Sequence, residues 1–136
     1  VDSVQIPVFV NGDITSCGTA KTAMSDSGAA GVMVGRAAMG QPWLLAQISD
    51  YISDLPIRPV PDMLQRNLMM IEHLTDITGE AGESGLRSAR KHFASYCDHL
   101  EGSDELRAVA MQTSSASELK DAIFKYFLET SRLTAA

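Results

Sequence analysis

The chain has 136 residues, 45% hydrophobic and 21% charged, with mean hydropathy near zero, an ordinary globular composition for about one domain. Eleven Lys and Arg against seventeen Asp and Glu give a formal charge of −6 and a pI near 4.9. That excludes wholesale basicity and confines any nucleic-acid contact to a local patch. No apolar run approaches the roughly 18–20 residues of a membrane span. Two cysteines, Cys17 and Cys97, are too few for a disulfide scaffold, so a reduced, cytoplasmic setting is expected.

Ile6–Val10 is a β-branched run entered through Pro7 and closed by Asn11-Gly12-Asp13, which predicts a strand. Ser16 is placed to cap a short helix running from Thr19 to Ser27 and ending near Gly28. A second apolar run, Gly31 to Gly35, completes a β–α–β unit. Both runs are continuously apolar, as expected of parallel strands covered on both faces. Pro42 to Ile52 reads as a helix, and Pro56, Pro59 and Pro61 then mark a break in the chain.

From Asp62 onward the pattern is helical throughout. Asp62 caps a helix reaching about Thr78 and stopped by Gly79; Glu83 or Ser84 starts the next, which ends near Leu100. Ser103 and Ser117 read as caps of the last two. Leu86, Ala89, Phe93, Tyr96 or Cys97 and Leu100 recur at spacings of three and four, and so do Leu119, Ile123 and Phe127. Each set is one apolar stripe facing a core, and short connections predict a four-helix bundle.

The chemistry-bearing candidates sit where the two strands end. Asn11-Gly12-Asp13 follows the first and Gly35-Arg36-Ala37-Ala38 the second. Glycine directly after a strand lets backbone approach a ligand closely, and the N–H groups of such loops favour anions. Arg36 adds a planar fork of donors suited to phosphate. The competing reading makes Gly12 and Gly35 turn glycines and Arg36 a solvated charge; two such loops one βα unit apart favour the anion site. They match the phosphate site formed by the last two loops of a (β/α)₈ barrel. A whole barrel takes about 250 residues, so the chain is expected to be the C-terminal part of a larger protein.

The run Ile6 to Ile14, the segment Gly31 to Trp43 with its Gly-Arg-Ala-Ala…Gly-x-Pro-Trp pattern, and Ala89-Arg90-Lys91-His92 with Tyr96 together resemble the tRNA-dihydrouridine synthase family. The likeness is greatest to its bacterial B-type branch, once labelled a nitrogen-regulation protein. It implies α/β plus all-α architecture: the last two β/α units of a TIM barrel in residues 1–55, a Pro-rich linker at 56–61 and a helical tRNA-binding domain at 62–136. The implied activity is reduction of the uridine 5,6 double bond in tRNA, with FMN as cofactor and NADPH as reductant. Asn11, Gly12, Asp13, Gly35 and Arg36 take the family's FMN-phosphate role, and Arg87, Arg90, Lys91 and His92 the tRNA-contacting role. The family's catalytic cysteine and flavin-ring residues lie upstream in the barrel, so no catalytic residue is assigned in this chain, which is expected to be inactive alone. Ser95 also stands where the family often has an aromatic residue.

Cys17 lies at a helix start, where a thiol can be activated, but no histidine neighbours it in sequence and it reads as structural. Cys97 falls on an apolar stripe and reads as core. His73, His92 and His99 show no ligand spacing, so no metal is expected. Trp43 reads as packing between barrel and helical domain.

Residues 60–136 hold 8 Lys and Arg against 12 Asp and Glu, a net charge of −4 that sits uneasily with phosphate binding. At about 100° per residue, Arg87, Arg90 and Lys91 nonetheless share one flank of their helix, with no acid between Gly85 and Tyr96. The bland alternative is a basic turn paired with acids of a neighbouring helix. A second reading of the whole chain is a stand-alone helical RNA-binding module without catalysis. A third is the end of another phosphate-binding barrel, against which the Arg-Lys-His helix speaks. Partners expected are tRNA and, for the exposed strands, a missing barrel segment or a second copy.

Overall fold

In the computed structural model, which describes Val1 and residues 3–134, the run after Pro7 extends over only three residues, β1 (Phe9–Asn11). Residues 135 and 136, the end of the segment 62–136 assigned above to a helical domain, lie outside the described residues. A helix α1 (Cys17–Ser27) leads to β2 (Gly31–Met33), which pairs parallel with β1 in the register Phe9↔Gly31, Val10↔Val32, Asn11↔Met33. A 3₁₀ turn (Arg36–Ala38) and helix α2 (Trp43–Ile52) follow.

Ser16 caps α1 with a capping box: its hydroxyl accepts from the Thr19 backbone N–H while the Thr19 hydroxyl accepts from that of Ser16. Gly28, at φ 65°, closes the helix in the left-handed conformation that glycine adopts without strain. Ile14, Ala20, Leu44 and Ile48 form the core of this region, with Val32 and Val34 against it. Alternation along the strands turns Phe9 and Met33 outward, 63% and 57% exposed. Within this chain the face that carries Val32 packs on that core, and the face that carries Phe9 and Met33 is exposed.

The proline-rich segment is held down. Asp50, buried on α2, accepts from Arg58 through Nε (2.7 Å), Nη2 (2.9 Å) and the backbone N–H (3.1 Å), and Gln47 donates to the Arg58 carbonyl. The guanidinium holds the Asp50 carboxyl below its ordinary range.

The chain divides into two compact units, Val1–Val60 and Pro61–Ala136. The second opens with a capping box between Asp62 and Gln65 and continues as Met63–Cys97. Gly82 is not helical (φ 59°, ψ −159°), so this stretch is two helices, α3a (63–81) and α3b (83–97). Gly79, expected to stop the first helix, stays inside it. Only Gly82 takes the positive φ that reverses the chain, a conformation nearly closed to other residues. The two halves lie antiparallel: Arg66 Nη1 donates to the His99 carbonyl at 3.4 Å, His73 meets His92 and Tyr96, and Gly85 sits against Ile77. A Cβ on Gly85 would lie 3.0 Å from the Ile77 carbonyl oxygen, which is why that position is glycine.

Helices α4 (Asp104–Gln112) and α5 (Ala116–Thr134) complete the unit. Leu86, Ala89, Phe93, Tyr96, Cys97 and Leu100 are buried, and so are Leu119, Ile123 and Phe127. Both stripes thus meet in one core with Met70 and Leu74 of α3a. The caps differ from expectation. Ser103 stands at the N-cap of α4 as expected, but its hydroxyl donates to the Cys97 carbonyl and accepts no helix N–H, and Ser115, not Ser117, accepts from the Glu118 N–H at the start of α5.

Candidate functional site

Because Asn11 stands opposite Met33 in a parallel pair, Asn11-Gly12-Asp13 and Gly35-Arg36 leave the sheet at the same end. The structure thus brings all five residues of the predicted anion site together. Gly12 has φ 138° and Asp13 φ 46°, a left-handed conformation that Asp tolerates better than most residues. Ile14, 4% exposed, anchors the loop in the core. A Cβ on either Gly12 or Gly35 would meet nothing within 4 Å, so neither glycine is required by internal packing. Both border open space instead, where a bound group can approach the backbone. Arg36 Nη2 lies 4.0 Å from Asp13 Oδ1, with the side chains 94% and 96% exposed. Water screens such a pair to little net energy, leaving the Arg36 donors available to a stronger anion.

The second set lies on α3b and does not share one surface. Arg87 and Lys91, one turn apart, are exposed. Arg90 turns inward: its Nη2 donates to the carbonyls of Gln112 and Thr113 at 3.3 and 3.2 Å. These carbonyls close α4, and a cation there satisfies acceptors that lack intrahelical donors.

His92 is half-buried, its ring centroid 5.5 Å from that of His73, whose Nδ1 lies 3.4 Å from Tyr96 Oη. Burial, then His73, then Lys91 hold the His92 imidazole below its ordinary value of 6.5. A depressed folded-state pKa favours neutral imidazole, so its stabilisation is present above pH 6.5 and is lost as pH falls below it. Chemical denaturation of wild type and His92→Gln at pH 7.5 and 5.5 checks this. Wild type is expected to lose more stability on acidification than the variant; equal losses would remove His92 from the pH response.

Cys97 is buried, and burial pushes its thiol up, while Cys17 is half-buried against the Ile14 cluster. Among the described residues, no group of three or more His, Cys, Asp and Glu is placed to hold a metal ion. Sequence reading missed His73 as the neighbour of His92. The available signal was symmetry about the turn, since the two stand nine residues before and ten after Gly82. It also missed the buried Asn67 on α3a, for which no local signal exists.

Comparison with known proteins adds to this geometry. The family model described as Dihydrouridine synthase (Dus) matches residues 1–131. A probable tRNA-dihydrouridine synthase of Rickettsia bellii (strain RML369-C) is 39% identical over 127 residues, covering 93% of this chain and 39% of that protein. The tRNA-dihydrouridine synthase B of Serratia marcescens is 33% identical over 126 residues, covering 92% and 38%. The probable tRNA-dihydrouridine synthase 1 of Synechocystis sp. (strain ATCC 27184 / PCC 6803 / Kazusa) is 35% identical over 119 residues, covering 88% and 34%. The chain thus spans between a third and two-fifths of the length of these relatives. The family model accounts for both strand-end loops and for the α3a–α3b hairpin, and the chain belongs to the dihydrouridine synthase family.

Proposed function

We propose that this chain supplies two working parts of a tRNA-dihydrouridine synthase acting in the cytoplasm. Residues 1–55 form the last two β/α units of a TIM barrel and hold the phosphate end of FMN, and the helical domain of residues 62–136 contacts tRNA. When bound, the flavin supplies reduction of the uridine 5,6 double bond, with NADPH as reductant. The observation that carries the reading is the pair of loops at one end of β1 and β2, with open space over Gly12 and Gly35 and the Arg36 guanidinium beside them. Backbone at Gly12 and Gly35 approaches the phosphate, Arg36 donates to its oxygens, and Asn11 and Asp13 hold the loop that faces it. On the helical side Arg87 and Lys91 meet backbone phosphates directly. His92 borders them, and Arg90 supports the helix from behind by holding the end of α4.

Comparing FMN with riboflavin, which lacks the phosphate, tests this in the protein that carries this sequence. Arg36→Ala is expected to weaken FMN about tenfold or more, the value of a charge-assisted hydrogen bond, and to leave riboflavin affinity unchanged. Equal loss for both flavins would place Arg36 away from the phosphate. Salt-dependent RNA binding with no flavin binding would instead favour the stand-alone RNA-binding module.

A further inference from the structure

Between α3a and α5 runs a groove of about 280 Å³, lined by Met63, Leu64, Asn67, Phe124, Phe127 and Leu128. Its walls are apolar apart from Ser131, whose hydroxyl donates to the Phe127 carbonyl, and Asn67, which is 8% exposed and whose buried Oδ1 has no hydrogen-bond partner. A buried amide oxygen left unpaired is costly, so its persistence calls for a donor that pairs with it. Leu64, Phe124 and Leu128 are all exposed along the rim. Lys120 Nζ lies 6.0 Å from the Phe124 ring centroid. At about 100° per residue along α5, Lys120 falls on the arc that faces the groove, and Arg132 and Asp121 fall at its edge. Glu118 and Glu129 point well away from it.

We infer that this groove takes one unstacked nucleobase of a bound RNA, with Asn67 pairing to the base edge and Phe124 stacking on its face. The inference rests on the RNA-contacting role proposed for this unit. A carboxamide presents both acceptor and donors, as base edges do, and single-stranded bases are held by aromatic stacking plus edge hydrogen bonds. Lys120 is placed to meet the phosphate of the same nucleotide. An apolar helix in the groove would leave Asn67 Oδ1 without a donor, which is why a base fits better than such a helix.

Fluorescence anisotropy with a labelled, unstructured oligouridylate and with tRNA, at fixed salt, tests the pocket in the protein that carries this sequence. Phe124→Ala and Asn67→Leu are each expected to weaken binding about tenfold, the scale of losing one stacked base. Asn67→Leu is expected to melt no lower than wild type, because it removes an unpaired polar group. That separates lost recognition from lost folding. Lys91→Glu serves as the control for the proposed RNA contact. If Lys91→Glu weakens binding and both groove variants bind as wild type does, the pocket is overturned and the RNA role stands. If wild type binds neither RNA, both fall. A wild-type dimer that Phe124→Ala dissociates, with RNA affinity unaltered, would give the groove to a second copy and overturn the inference.

Discussion

Truncating Phe93 to alanine is expected to destabilise the helical unit by about 3–5 kcal/mol, the range for deleting a fully buried aromatic ring. Phe93 is 1% exposed and sits centrally on α3b, its ring centroid 5.8 Å from His73 and 6.2 Å from Tyr96. Those neighbours come from both halves of the hairpin, so neither can move in to fill the space without breaking contacts elsewhere. Urea denaturation followed by circular dichroism reads the result as a lower midpoint at unchanged slope. A loss below about 1 kcal/mol would mean that the core collapses around the gap.

Arg90 and Lys91 stand side by side in sequence, and their substitutions are expected to separate. Arg90→Ala removes donors from the Gln112 and Thr113 carbonyls and should cost about 1.5–3 kcal/mol, the range for hydrogen bonds to a charged group. Arg90→Glu should cost more, since it sets a carboxylate against two carbonyl oxygens at the negative end of α4. Lys91→Glu, on an exposed side chain, should leave the melting temperature within a degree or two, as surface changes do, while lowering tRNA affinity and reducing its salt slope by about one. Melting curves beside salt-titrated binding on the three variants decide it. An Arg90→Ala variant that melts like wild type would show that the α4 contact contributes nothing.

These neighbours also show how far the sequence could be read. Helical periodicity places Arg87, Arg90 and Lys91 on one flank, and that is all a single helix can say. Which of the three faces solvent depends on where α4 ends, and α4 ends beside Arg90 because of packing more than twenty positions away. Asn67 has the same character, since nothing in its surroundings on α3a announces that the facing helix leaves its Oδ1 unpaired.

What the sequence by itself determined was local or periodic. The caps at Ser16 and Asp62 and the glycine end at Gly28 follow from bonds spanning three or four residues. The buried stripes of α3b and α5 follow from the 3.6-residue period, which sorts apolar from polar side chains without a partner. The two strand-end loops were legible because each apolar run closes on a glycine-containing turn, a local signal that ends a strand. Tertiary structure alone decided that the chain reverses at Gly82 and not at Gly79, since either glycine can take the turn and only the packing of 63–81 against 83–97 selects one. It alone set His73 against His92 and turned Arg90 toward α4. These are long-range contacts whose energies depend on what two distant segments bring together, and no window of local sequence contains both.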